Sequence, residues 1–191
     1  MKLSSRVAVV LALVLLTTSS AWAVGLGYGL KVGYGPTFYP DDEVNPIDDG
    51  SAWAVAAVLD VELPVVGLEA NLMWTRCNIS DRLDDMYYDY LGIVALVKVG
   101  LSLIPAVLDL DLGVGMDYRF LVNVEGMPDG DGTILMLPIT LQLVGDLKTF
   151  KLHGEIRFNY GLKRSIDNDW AADIADSENM HELLFLTGVT F

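Results

Sequence analysis

Thirteen consecutive residues constrain this chain more than any other part of it: "LDLDLGVGMDYRF", Leu108 to Phe120. Leu108, Leu110, Leu112, Val114, Met116, Tyr118 and Phe120 share one parity; Asp109, Asp111, Gly113, Gly115, Asp117 and Arg119 share the other. At about 100° per residue a helix would spread the aspartates around its whole surface, whereas a strand gathers them on one face. The run is a long β-strand, apolar on one side and polar or glycine on the other.

The same period recurs along the chain. In "LGYGLKVGYG", Leu26, Tyr28, Leu30, Val32 and Tyr34 alternate with glycines and Lys31. "GLEANLMWT" sets Leu68, Ala70, Leu72 and Trp74 against Glu69, Asn71 and Met73, and "FKLHGEIRFNY" sets Phe150, Leu152, Ile156, Phe158 and Tyr160 against Lys151, His153, Glu155, Arg157 and Asn159. Less regular strands are expected at 52–62, 90–100, 133–143 and 181–191. Short turns fall near Leu63–Val65, Ser102–Ala106 and Gly145–Lys148, and long polar loops at Tyr39–Gly50, Cys77–Asp89, Leu121–Gly132 and Lys163–Met180. Short and long connections alternating around an even number of strands are the layout of an outer-membrane β-barrel, with tight periplasmic turns and longer external loops. A helix through "LGIVALVKVGLSLIPAVLDL" is the weaker reading, because Lys98 and Pro105 interrupt it.

A soluble β-sandwich would bury its apolar face and leave the polar one to water. Here the polar face is rich in glycine and carries both signs of charge, which suits the interior of a narrow eight-stranded barrel. Aromatic placement agrees. Phe38, Trp53, Trp74, Tyr118, Phe120, Phe158 and Tyr160 fall at loop ends of strands, and Tyr28, Phe150 and Phe191 at turn ends. Two such rings are the girdles of a membrane barrel.

Met1–Ala23 combines Lys2 and Arg6 with the apolar run "VAVVLALVLL" and a closing Ala-Trp-Ala. That is the pattern of a cleavable signal peptide, too short to span a bilayer. The expected organisation is a signal peptide at 1–23 and a barrel domain at 24–191. Without the signal, ten basic residues (12 less Lys2 and Arg6) face 26 acidic ones. Nucleic acid is excluded as a partner, because phosphate binding runs on Lys and Arg. The single cysteine, Cys77, allows no internal disulfide. Such acidity beside a mean hydropathy of +0.41 is what a lipid-facing sheet accounts for.

The last stretch, "HELLFLTGVTF", keeps the two-residue period to Phe191. With this ending and the strand layout, the chain resembles the small eight-stranded outer-membrane proteins of the OmpA/OmpX type over its whole region after the signal. The resemblance implies an all-β, antiparallel, up-and-down transmembrane barrel in the bacterial outer membrane, both termini periplasmic. It also implies that Leu183, Phe185, Val189 and Phe191 form the strand read by the barrel assembly machinery; Thr187 departs from the usual larger apolar residue. Outer-membrane lipid and lipopolysaccharide are the expected partners of a monomer without cofactor. Trp53, Trp74, Tyr118, Phe120, Phe158 and Tyr160 are the expected loop-end girdle.

Lys31, Asp60, Glu62, Glu69, Asn71, Lys98, Asp109, Asp111, Lys151, His153 and Glu155 should face the lumen. Asp60 and Glu69 flank one turn and should oppose each other, with Lys31 and Lys98 on the adjoining strands. Buried charges must be paired, so Lys31, Asp60, Glu69, Lys98 and Asp109 are expected to form an ion-paired plug. A proton or solute path is the alternative. The loop-side half of the lumen reads as apolar, through Ala54, Ala56, Val58, Met73, Val94, Leu96, Met136, Leu184 and Leu186: packing, or a hydrophobic pocket open to the outside. Lipid-modifying enzymes use this architecture too, but they need a nucleophile beside a positioned base. Neither His153 nor His181 lies in the deacylase His-x-Ser pattern, so no catalytic centre is expected, and "DGDG" falls short of a calcium loop. The expected role is structural or surface-interactive, ahead of a small transport barrel and, third, a lipid-modifying enzyme.

The turn and loop pattern predicts topology. Single cysteines at Asp48, Asp129 and Asp173, with Cys77 removed, should react with an impermeant maleimide on intact cells, and one at Asp146 should not. Labelling at 146 alone would invert the orientation.

Overall fold

The computed structural model describes residues 25–38, 50–63, 66–80, 85–125, 131–167 and 180–191. The expected signal segment and the tips of the long loops lie outside the described residues. Eight strands form one closed antiparallel barrel in chain order: β1 Gly25–Phe38, β2 Gly50–Glu62, β3 Gly67–Ser80, β4 Asp85–Ile104, β5 Leu108–Glu125, β6 Asp131–Asp146, β7 Lys151–Asp167 and β8 His181–Thr190. Register partners lead from Gly25 through Glu62, Gly67, Lys98, Gly113, Thr140 and Arg157 to Leu184. Leu184 lies against Gly35, back on β1 and ten residues beyond the start. That stagger over eight strands tilts them by about 40°.

The seam that closes the barrel pairs β8 with β1 from His181 to Thr190, and Phe191 extends it. Phe191 N–H donates to Tyr28 O at 2.9 Å, and Tyr28 N–H donates to Phe191 O at 3.1 Å. Glycine permits the approach of β1 to β8: a Cβ at Gly29 or Gly35 would run into the carbonyl oxygen of Val189 or Leu183. A barrel needs this seam sealed, because lipid offers no partner to an open sheet edge.

The long connections differ from their expected extent. Strand pairing continues through most of 77–89 and into 121–132 and 163–180. Apolar alternation stops where lipid stops, but backbone pairing does not require it, so hydropathy marks the membrane band rather than the ladder. Conversely, Ser102–Ile104 belong to β4 rather than to a turn, and Phe150 belongs to a turn in which Leu147 N–H donates to its carbonyl at 3.0 Å.

The faces are sorted inside out relative to a water-soluble domain. Leu26 is 66% exposed and Leu112 61%, whereas Arg119 and Arg157 are 0% and Lys31 1% exposed. The exposed apolar side chains encircle the barrel on every strand. A contiguous band of that size marks a surface built for lipid rather than water, and the chain is an integral membrane β-barrel.

All six expected loop-end girdle residues point outward, with Trp74 half-buried and the others exposed. Tyr34 and Trp53 lie 4.7 Å apart, and Tyr118 meets Phe120 edge-on at 4.8 Å. At the turn end Tyr28 and Phe150 each lie 6.3 Å from Phe191. Leu183, Phe185, Val189 and Phe191 share the outward face of β8 and its end.

Candidate functional site

The turn-side half of the lumen holds a network built by strand parity. Asp60 and Glu69 are register partners across β2 and β3, which sets two carboxylates side by side. Lysines from the flanking strands answer them. Lys31 Nζ on β1 donates to Glu69 Oε1 and to Glu155 Oε2, each at 2.6 Å. Lys98 Nζ on β4 donates to Glu69 Oε2 at 2.9 Å and lies 3.0 Å from Asp60 Oδ1. Arg157 Nε donates to Glu155 Oε1 at 2.6 Å. Asn71 and Gln142 fill the margins, donating to Glu69 and Glu155. Lys31, Lys98 and Arg157 thus balance Asp60, Glu69 and Glu155, all of them buried. This equal count matters, because an unpaired buried charge costs several kcal/mol.

Of the five residues expected in one cluster, four meet in this network. Asp109 stands apart: half-exposed at the turn-side mouth, it makes no ion pair among the described residues. Its place is taken by Glu155 and Arg157. Parity puts both on the polar face of β7; what parity cannot supply is the seam register that sets β7 one strand away from Lys31, across β8. Asp109 instead lines a mouth cavity of about 260 Å³ with Asp60, Glu62, Lys98, Asp111 and Lys151. Lys151 and Glu62 pair across this mouth.

A second charged cluster lies in the half of the lumen expected to be apolar. Arg119 on β5 donates from Nε and Nη2 to Asp117 Oδ2 at 2.9 and 2.6 Å. The same guanidinium grips Glu182 of β8 with both terminal nitrogens, at 2.7 and 2.8 Å. Asn159 Nδ2 adds a bond to Glu182 Oε2 at 2.9 Å. All four side chains are fully buried. The signal was available: Asp117 and Arg119 lie on the polar parity of the most regular strand, and Glu182 continues the inward set of Leu184 and Leu186. The apolar residues named for this half are indeed buried, Ala54, Ala56, Met73, Val94, Leu96, Met136, Leu184 and Leu186 among them. They are buried in the same half of the lumen as the charged groups.

The two histidines are held in place. His153 Nε2 lies 2.7 Å from the Thr190 hydroxyl, with both residues buried. His153 Nδ1 has no hydrogen-bond partner among the described residues. His181 Nδ1 accepts the Gly161 N–H at 3.0 Å, and the ring stacks on Tyr160 at 4.6 Å.

No protein-family model matches the sequence, and no curated protein matches it either. Solved structures do. Neisserial surface protein A aligns over 87% of this chain and 97% of its own, at 12% identity and a TM-score of 0.60. A major outer membrane protein from Thermus thermophilus aligns over 87% of this chain and 100% of its own, at 12% identity and a TM-score of 0.51. At that identity the likeness is one of fold: this chain has the eight-stranded barrel architecture of small outer-membrane proteins.

Lys98 sits between two carboxylates, so Lys98→Ala should lower unfolding stability in detergent by about 3–5 kcal/mol, the cost of stranding a buried charge. Urea titration of the folded, heat-modifiable band measures it. A loss below about 1 kcal/mol, the range of exposed pairs, would mean that the lumen is wet.

Proposed function

We propose that the protein is an integral outer-membrane barrel closed to solutes, acting as a structural and surface-interaction element of that membrane. The observation that carries this reading is the turn-side network, whose buried charges reach across the lumen from β1, β2, β3, β4 and β7. An eight-stranded barrel is only just wide enough for its own side chains, unlike the water-filled porins. The apolar outer band supports membrane insertion, and the barrel architecture supports the outer membrane as its location.

In this reading the turns face the periplasm and the long acidic loops face outward. Outer-leaflet lipopolysaccharide is the first partner such loops meet, and divalent cations are the natural bridge between their carboxylates and its phosphates. The outward set Leu183, Phe185, Val189 and Phe191 serves as the assembly signal and the barrel functions as a monomer. Catalysis is not part of this role: the hydroxyl–imidazole contact of Thr190 with His153 joins two buried residues. A transport role would require a path through both charged layers.

Planar-bilayer recording tests the closed lumen. Wild-type protein should show little or no steady conductance. Large, steady, cation-selective currents would replace this reading with transport, with the acidic loops as the source of selectivity.

A further inference from the structure

Among the described strand pairs, the ladder breaks without a change of register at two places, and a proline stands at each. Between β1 and β8 the pairs Gly35–Leu184 and Pro36–Leu183 are missing, although Tyr34–Phe185 and Thr37–Glu182 form on either side. Between β5 and β6 the pairs Gly115–Pro138 and Met116–Leu137 are missing between Val114–Ile139 and Asp117–Met136. The alignment is the same before and after each gap, so neither is a bulge. Pro36 and Pro138 are also the only prolines within the eight strands.

Proline lacks the N–H that a ladder requires and belongs at sheet edges or bulges. A closed barrel has no edge to offer. β6 pairs with β7 unbroken through Leu137, Pro138 and Ile139, so the missing donor of Pro138 lies on the β5 side. Opposed residues of a hydrogen-bonded antiparallel pair exchange both bonds; the bond lost here is the one to the Gly115 carbonyl.

Depth separates the two sites. Pro36 lies beyond Tyr34, which packs on Trp53 at the loop-end aromatic level. Gly115 lies deeper, between the lipid-facing Val114 and Met116 and short of the aromatic pair Tyr118 and Phe120. A carbonyl without its donor is most costly at that depth. Gly115 packs tightly on β4, where an added Cβ would run into the Ala95 carbonyl oxygen, and it puts no side chain across the joint with β6. Along β5 the joint falls between Gly113, the register partner of Lys98, and Asp117, and so between the two charged clusters.

We infer that the barrel wall is built to part locally between β5 and β6, at the level of Gly115 and Pro138, while the β8–β1 seam stays shut. Opening there forfeits one ladder bond fewer than at an unbroken joint, and it lets the Gly115 carbonyl reach a donor that the closed wall withholds. The lumen thereby has a sideways opening at mid-height, separate from its two mouths.

Amide hydrogen exchange in detergent micelles reads this joint residue by residue. Gly115 N–H faces β6 and Met116 N–H faces β4, so the two amides share a depth on opposite sides of one strand. After correction for intrinsic rates, Gly115 should exchange about tenfold or more faster than Met116. Pro138→Ala restores the donor and should slow Gly115 about tenfold, with Met116 unchanged. A second variant does not depend on that one assembling. Met116→Cys with Leu137→Cys, in a Cys77→Ser chain, places thiols on a non-hydrogen-bonded pair, where side chains lie close enough for a disulfide. Oxidation should protect the Gly115 and Asp117 amides, and reduction should release them. Equal protection of Gly115 and Met116 in the wild type would overturn the inference, because the ladder would then open as one piece. Gly115 exchange that is unchanged by Pro138→Ala or by the closed disulfide would overturn it as well.

Discussion

Every backbone N–H and C=O that enters hydrocarbon must find its partner within the protein. That constraint shapes this molecule from the chain end inward. A sheet meets it only by closing, and closing here means joining β8 to β1, down to the paired bonds between Phe191 and Tyr28. Glycines at 29 and 35 allow the strands to meet. Once the sheet is closed, two-residue alternation can send side chains only to lipid or to the lumen, and the lumen of eight strands is narrow. Charge that would be solvated on a soluble protein is thereby confined to a space where it must be matched.

The matching follows strand order. Asp60 and Glu69 oppose each other because a short turn joins their strands, and the two lysines that relieve them come from β1 and β4, on either side. Glu155 and Arg157 arrive from β7 because closure leaves only β8 between β7 and β1, with Gly188 standing between Lys31 and His153. The lumen is consequently a cross-link among distant parts of the chain: Lys31 and Glu155 are separated by 124 positions. Such a network also penalises a shifted register, since moving any strand by one residue would send its charges into lipid and its leucines inward.

Much of this was legible in the sequence. Alternation on β1, β3, β5 and β7 was sharp enough to set faces, and with it came the Lys31–Glu69–Lys98–Asp60 cluster, since nearest neighbours follow from hairpin order alone. What alternation could not supply was distance across the barrel. Parity alone groups Asp109 with the cluster, although its height puts it at the mouth; hairpin order alone places Arg157 far from Lys31, which barrel closure brings near. The loop-side cluster is hidden in the sequence because its three inward charges lie among Ala54, Met73, Leu184 and many other apolar side chains. Strand ends are hidden for a related reason, since polar residues beyond the bilayer continue the ladder without the apolar signature.

The inside-out sorting is tested most directly by oxygen accessibility. Single spin labels placed in turn along Leu108–Phe120, with the barrel reconstituted in bilayers, report contact with hydrocarbon at each position. The expected result is a two-residue oscillation, high at Leu110, Leu112, Val114 and Met116 and low at Asp111, Gly113, Gly115 and Asp117. An oscillation of opposite phase, or uniform accessibility along the segment, would contradict a lipid-facing apolar wall around a charged lumen.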